Sequence, residues 1–483
     1  MDSGKVTVKA AAVQFLATFT VCILICLTGM LFSWPSYNVV NFASNETVLS
    51  APMSSLEISL LGSLTNIGAF LMTPFYGVMI NKLGRKYTVM LAGVPYVIGW
   101  SIITVTNSVP AVLSAMCIAG CGTGAQAAIS IFIAEIAHDS IRGALTSCVV
   151  CVYFVGLLIS YVLGGYLSYS QVVYVQLSVS VSVIILISFL KESPVYLVQI
   201  GKEKEAAESL AFYRQTSPTS KEVEVAIAKI KLQIDPRLEQ MLEEGQSPDA
   251  KQLIVHPPSD KKLSEWQYLK KSKTSIRALI TGLVAMATMI LMGNIALQVY
   301  AETLFKETVP SLDSNQCSIF LAIDFLIASI VCSFLIDRFG RRFLMISTCI
   351  GSSICTLVLG IQVQVHWGPH WFTAFMIYFY NFIFNIGVAV VPYVLVGELF
   401  LPEVRGLCGS IICASAWAMN FITVIIFTPV VEIFGFAPLF YAFTVIGFAG
   451  AAFCIFYLPE TNGLSVDAIQ ALFLKKDKRK IGD

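Results

Sequence analysis

Twelve runs of predominantly apolar residues, each close to 20 residues long, dominate this chain and limit its folds more than any other feature. They cover roughly 12–33, 57–80, 88–106, 111–134, 145–167, 170–190, 275–301, 315–336, 343–363, 371–397, 407–431 and 435–457. A helix of about 20 residues crosses the roughly 30 Å hydrocarbon layer of a bilayer. Backbone polar groups in lipid must pair internally, so only helices and closed barrels span, and these runs are too long and too little alternating for barrel strands. The expectation is an all-α membrane protein with twelve transmembrane helices in two six-helix halves. The halves would cover 1–190 and 275–457, with a linker over 191–274 and a tail over 458–483.

Composition agrees: 56% of the 483 residues are apolar and 13% charged, and the mean hydropathy is +0.77. A soluble protein of this size could not clothe such a chain. The net charge of +1 and the lack of any basic stripe argue against a nucleic-acid partner. The 13 cysteines fall mostly inside the apolar runs, Cys148 and Cys151 among them, where they read as small packing residues rather than ligands or disulfides. The first run ends in "GMLFSWPSY" without a small-residue cleavage pattern, so it reads as a span and not a removable signal.

Lys and Arg set the orientation. Lys82, Arg85, Lys86, Arg142, Arg338, Arg341, Arg342 and Arg405 fall in even-numbered short loops, with the basic tail Lys475, Lys476, Lys478, Arg479 and Lys480. The opposite loops have almost none, Lys306 being the main exception. Both termini are therefore expected in the cytoplasm, and the sequon Asn45-Glu46-Thr47 then lies in the first outer loop as a glycosylation acceptor. In the linker, "GKEKEAAESLAFYRQ" and "SKEVEVAIAKIKLQI" have the mixed charge and spacing of short amphipathic helices, and "EEGQSPDAKQLIVHPPSD" reads as flexible chain.

One charged cluster occurs twice. "GVMINKLGRK" begins at Gly77 and "SFLIDRFGRR" at Ser333, each after the second span of its half. Duplicated halves with a site near the midplane between them are a transporter design. These and four further segments resemble the sugar porter family of the major facilitator superfamily over nearly the whole chain. "FIAEIAHDSIRG" and "VGELFLPEVRG" resemble the family's Glu-to-Arg-Gly segments, while "KESPVYL" and "LPETNG" resemble its signatures after the sixth and twelfth spans. Among its branches, the chain looks most like the insect facilitated hexose and trehalose transporters.

The resemblance implies the major facilitator fold, transport by alternating access, and no cofactor. It implies a plasma-membrane protein with a small sugar-like solute and the lipid bilayer as partners, a monomer being sufficient. Ion pairs would latch the cytoplasmic side: Arg85 and Lys86 to Glu135, and Arg341 and Arg342 to Glu398, with Arg142, Asp337, Arg338 and Arg405 completing the clusters. Where the second cluster has Asp337 the first has Asn81, and an amide accepts charge-assisted hydrogen bonds more weakly than a carboxylate. A looser latch is expected in the first half.

At the solute site the chain departs from the family. Aligned on Gly293, Met289 and Ile290 replace the seventh-span Gln pair and Ile295 replaces its Asn. Val150, Phe325 and Tyr393 take three further site positions, and Ala115-Met116 stands for the fourth-span Gly-Arg. The candidates for contacting solute are Asn294 and Gln298, which share a helix face, with Asn385, Trp417 and Asn420 at family polar or aromatic positions. Asp324, well inside the eighth span, joins them, since an ionisable group there is a functional hypothesis by default. The first span carries no acid where proton-coupled relatives have one, which favours a facilitative uniporter; Asp324 alone points toward proton coupling. Loss of the Gln pair leaves open a non-transporting sensor on the same fold, or a non-sugar substrate. His366 and His370 flank Gly368-Pro369 in a loop and do not form a metal pair. No nucleophile–base set, phosphate loop or dinucleotide fingerprint appears, so the chain is not expected to be an enzyme.

Overall fold

Helix caps and breaks divide the chain much as its apolar runs do. The computed structural model describes residues 7–138, 140–234, 265–464, 466 and 468–473. The flexible-linker stretch and the basic tail from Lys475 lie outside the described residues. The helices are α1 Val8–Phe42, α2 Ser55–Lys82, α3 Arg85–Val105, α4 Val109–Thr123, α5 Gln126–Ile136, α6 Arg142–Tyr166 and α7 Tyr169–Ser188. Between the two sets of spans stand α8 Pro194–Gln199, α9 Glu203–Arg214, α10 Lys221–Ile234 and α11 Glu265–Lys271. The second set contains α12 Lys273–Leu291, α13 Asn294–Val299, α14 Ala301–Thr308, α15 Ser314–Phe339, α16 Arg341–Val365, α17 His370–Ile386, α18 Val391–Glu398, α19 Pro402–Phe434 and α20 Ala437–Tyr457.

Among the described residues twelve spans are long and apolar enough to cross a membrane, the number expected. Three are broken: the fourth (α4 and α5), the seventh (α12 and α13) and the tenth (α17 and α18). In the seventh the break falls at Gly293, whose φ of 85° lies in the left-handed region. Discontinuous helices at membrane depth are tolerated where they line a cavity or are buried in protein. The first span reaches well beyond 12–33, because Thr7 caps its start by accepting from the Ala10 amide and its last turns pack inside the protein. The second begins with a reciprocal capping box between Ser54 and Glu57.

Between the spans, α9 and α10 pack through Leu210, Ala211, Val223 and Ala226. Partly exposed pairs Arg214–Glu222 at 3.2 Å and Lys231–Glu203 at 2.6 Å flank that contact. Gln14 on α1 ties this layer down, donating to the Tyr213 carbonyl at 3.0 Å. Alternation of the spans puts the loops carrying the Arg clusters at one end of the molecule, called the cluster end below. The loop after α1, with Asn45 exposed on it, lies at the opposite end.

Candidate functional site

Two equivalent constellations occupy the cluster end. In the first, Arg85 donates to Glu135 from Nε at 2.9 Å and from Nη2 at 3.0 Å, and its Nη1 reaches the Ile80 carbonyl at 3.2 Å. In the second, Arg341 meets Glu398 from Nη2 at 2.9 Å and from Nε at 3.2 Å, with Nη1 on the Ile336 carbonyl at 3.2 Å. Ser193 Oγ donates to Glu135, and Thr461 Oγ1 donates to Glu398 at 2.5 Å.

A second acid completes each constellation, and spacing in the sequence does not reveal it. Glu192 accepts from the backbone amides of Arg85 at 3.0 Å and Lys86 at 2.9 Å. Glu460 accepts from Arg341 at 2.9 Å and Arg342 at 3.1 Å. Each carboxylate thus caps a helix whose own preceding residue is a glycine and offers no side-chain cap. Gly84 and Gly340 have φ of 98° and 83°, and a Cβ on either would collide with the capping carboxylate. Burial pushes the Glu192 carboxyl above the ordinary Glu range, against the pull of three backbone N–H donors and of Arg85.

Of the remaining predicted latch residues, three bond to backbone carbonyls. Lys86 Nζ donates to the Ser188 carbonyl at 2.8 Å and Arg342 Nη2 to the Ile455 carbonyl at 2.7 Å, so neither meets the expected glutamate. Arg405 is exposed and closes on the Phe400 carbonyl at 3.3 Å. Arg142 and Arg338 are exposed at helix ends, and the side chain of Asp337 lies outside the described residues. Asn81 turns back to the Gly77 carbonyl of its own helix at 3.3 Å. The arginine–glutamate side chains are 6% and 15% exposed in the first pair against 11% and 27% in the second. Arg85 also lies 5.1 Å from the Tyr196 ring centroid. The first latch is therefore the more enclosed of the two.

Toward the opposite end the two sets of spans close on each other. Tyr153 on α6 donates to Gln298 Oε1 and Tyr161 donates to the Gln298 carbonyl, both at 2.6 Å. Phe154 stacks on Phe325 at 4.9 Å, and Tyr300 on Phe427 at 4.9 Å. The Glu302 amide reaches Ser36 Oγ at 3.0 Å, and Asn315 Nδ2 reaches the Tyr161 carbonyl at 3.2 Å. A pocket of about 490 Å³ lies beside this seam, lined by Tyr37, Gly165, Glu302, Lys306, Asp313 and Asn315. Asn66 on α2 was not singled out from the sequence. It is fully buried with both amide atoms unpartnered, one turn beyond Gly62, where α2 meets Val299, Tyr300 and Val424. A lone Asn inside the apolar run "SLTNIGAF" was the signal for it.

Of the predicted solute residues, Gln298 is buried in the seam. Asn294 begins α13 directly after the Gly293 break, with its Oδ1 buried and unpartnered. Trp417 lies parallel to Phe32 across the two sets, 6.4 Å between centroids, and Asn420 is buried one turn further along α19. Asp324 and Asn385 are joined through a residue not predicted, Asn381, which donates to Asp324 Oδ2 at 2.7 Å and accepts from Asn385 Nδ2 at 3.0 Å. Among the described residues no hydrogen bond links Asn294, Trp417 or Asn420 to another of the set.

Comparison with known proteins agrees with this fold. The sequence model of a family described as "Sugar (and other) transporter" matches residues 21–473. A facilitated trehalose transporter, Tret1, of Polypedilum vanderplanki is 25% identical over 480 residues, covering 96% of this chain and 89% of that protein. Tret1 of Aedes aegypti is 24% identical over 96% of this chain, which spans 56% of that longer relative. Among solved structures, the inward-open xylose transporter XylE of E. coli superposes with a TM-score of 0.73 at 19% identity, covering 94% of this chain and 99% of that one. The proton:xylose symporter XylE bound to 6-bromo-6-deoxy-D-glucose gives 0.67 at 21%, with the same coverage. At such identities the structures speak for the fold.

Proposed function

Because the chain belongs to the sugar (and other) transporter family of the major facilitator superfamily, we propose that it is a facilitative uniporter of a small neutral solute, a hexose or trehalose. It works by alternating access in the plasma membrane, with both termini cytoplasmic, and it is not an enzyme. The observation that carries this reading is one ion-pair constellation repeated within each half, together with a seam between the halves. Duplicated Arg–Glu constellations stand at the cluster end, and a seam of Tyr153, Tyr161 and Gln298 joins the halves toward the other. Rocking of the halves would break the seam while the constellations meet and part, opening a midplane site to each side in turn.

In that site Trp417 stacks on the solute, and Asn294, Asn385 and Asn420 offer amides to its hydroxyls. Gln298 serves solute when the seam opens and Tyr153 when it closes. The Tret1 relatives support a sugar cargo, and Asn45, exposed in the first loop, is the glycan acceptor. The buried Asp324 favours a second reading, proton-coupled transport. The deciding experiment is uptake in a transport-deficient host against a panel of sugars, polyols and organic cations at several external pH values. Sugar uptake indifferent to pH supports the uniporter. Failure to move any of the panel despite surface expression would replace transport by a sensor role.

A further inference from the structure

Asn66 holds an amide that its own half of the protein leaves unused. It stands near the middle of α2, in the run "SLTNIGAF", fully buried and with neither amide atom partnered within the protein. An amide left without donor or acceptor among apolar neighbours is costly, and it calls for a partner that this arrangement of the halves does not supply.

The two faces of α2 show where that partner comes from. Thr65 and Gly68 turn to α4: a Cβ on Gly120 would strike the Thr65 backbone, and one on Gly68 the Cys117 carbonyl. Gly62 turns to the other half, where a Cβ would meet Val299, Tyr300 and Val424, and α2 packs along α19 there. Asn66 follows Gly62 by four residues, so it shares that face one turn nearer the cluster end. Consecutive spans alternate in direction, so the second and the eleventh run opposite ways. One turn from Val424 toward the cluster end is therefore Asn420, buried and already among the predicted solute residues. The two amides stand at one depth on the two helices that meet at Gly62 and Val424.

Every predicted solute residue, Asn294, Gln298, Asp324, Asn385, Trp417 and Asn420, lies in the second set of spans. Asn294 and Asn385 carry the mark that Asn66 carries, a buried amide oxygen without a partner. In the first set Gln176 on α7 is also unpartnered, but α7 packs on α1 and α3 of its own half, so only Asn66 of these two stands on a face turned to the seam.

We propose that Asn66 is a further solute-binding residue, the first half's counterpart to Asn420, engaged by a hydroxyl of the solute that enters while the seam is open. This rests on the transport reading. With it the solute bridges the halves instead of lying against one of them. An amide both gives and accepts a hydrogen, so the group it takes is one that does the same. In the closed seam the amide is covered and unpaired, so without solute it weighs against closure.

Uptake in a transport-deficient host tests the contact, with deoxy analogues of D-glucose and of trehalose competing from outside against whichever labelled parent wild type moves. In wild type the analogue lacking the hydroxyl that Asn66 takes should compete about fivefold or more worse than the parent. N66L, close to asparagine in size and unable to hydrogen-bond, should erase discrimination at that position and leave the others alone. A mere shift between states would change parent and analogues by one common factor and cannot imitate this. N66A repeats the measurement should N66L not reach the surface. In purified full-length protein without solute, spin-label distances across the seam should move toward the closed state in N66L, because leucine gains from the burial that asparagine resists. Discrimination kept at every position in both variants, or seam populations in N66L unmoved or moved toward the open state, overturns the proposal. If wild type moves neither sugar, the transport reading itself fails and the proposal with it, a result seen in wild type before any variant is compared.

Discussion

Tyr153 and Gln298 stand 2.6 Å apart across the seam between the two sets of spans, phenol hydroxyl to amide oxygen, although 145 residues separate them in the chain. With Gln298 only 3% exposed, no water replaces that donor if it is lost. Y153F should therefore leave a buried acceptor unpaired at a cost of about 1–3 kcal/mol, felt only while the seam is closed. The balance should move toward the state open at that end by about fivefold or more. Spin-label distances across the seam in purified protein would read the shift; unchanged populations would mean that the bond does not help hold the seam.

The two arginine latches should differ in strength, the first being stronger. R85A leaves Glu135 enclosed with Ser193 as its remaining partner, and breaking a buried pair in this way costs about 3–5 kcal/mol. R341A exposes a glutamate that water already reaches, so the loss should be smaller. Thermal unfolding in detergent should place R85A below R341A, with E135A combined with R85A recovering part of the loss. The reverse order would return the weight to Asn81 and the sequence-based expectation.

Gly84 and Gly340 should tolerate no side chain. Both combine a positive φ with a capping carboxylate where a Cβ would stand, and their extended positive-φ backbone, with ψ of 170° and 158°, alone costs an L-residue roughly 1–3 kcal/mol. G84A and G340A should each lower the melting temperature and surface yield. G77A is the control, because its Cβ meets nothing within 4 Å and alanine favours the helix by roughly 0.5–1 kcal/mol. A G84A protein as stable as G77A would mean that the loop relaxes around the added methyl.

Orientation and modification can be checked together at Asn45. It is exposed in the loop after α1, and only an outward-facing loop meets the glycosylation machinery. N45Q should remove an enzyme-sensitive step in electrophoretic mobility seen in wild type. Equal mobility of the two proteins before and after deglycosylation would leave the sequon unused and remove it as support for the orientation.

What could be read in the sequence, and what could not, follows from the range of each interaction. Spans are local: length and apolarity of one segment decide them, and all twelve were legible. The pairs Arg85–Glu135 and Arg341–Glu398 were legible because each half repeats them. Glu192 and Glu460 were not, because a side chain capping a helix end 107 or 119 residues away leaves no periodic trace. Their trace was indirect: a glycine without a cap before each Arg, and Glu-Ser or Glu-Thr at matching places. Met289 and Ile290 drew attention to what was missing from the seventh span. The polar partners of two predicted site residues, Tyr153 on Gln298 and Asn381 on Asp324, come from other spans and appear only after folding.

Glu192 supplies the last prediction, a dependence of stability on pH. Burial holds its carboxyl above the ordinary Glu range in the folded protein, while in the unfolded chain it titrates near the ordinary value of about 4.3. A folded state that binds the proton more tightly gains from protonation, so this contribution is fully present below the unfolded value and is lost as pH rises through the folded one. E192Q keeps an oxygen to cap Arg85 and Lys86 but cannot titrate. Melting temperature of wild type minus that of E192Q, followed in detergent from mildly acidic to neutral pH, should fall as pH rises and then level off. Because the other titrating groups are common to both proteins, they cancel in the difference. A difference that grew with pH would show that the three backbone donors and Arg85 outweigh burial, with Glu192 ionised more readily in the folded protein than outside it.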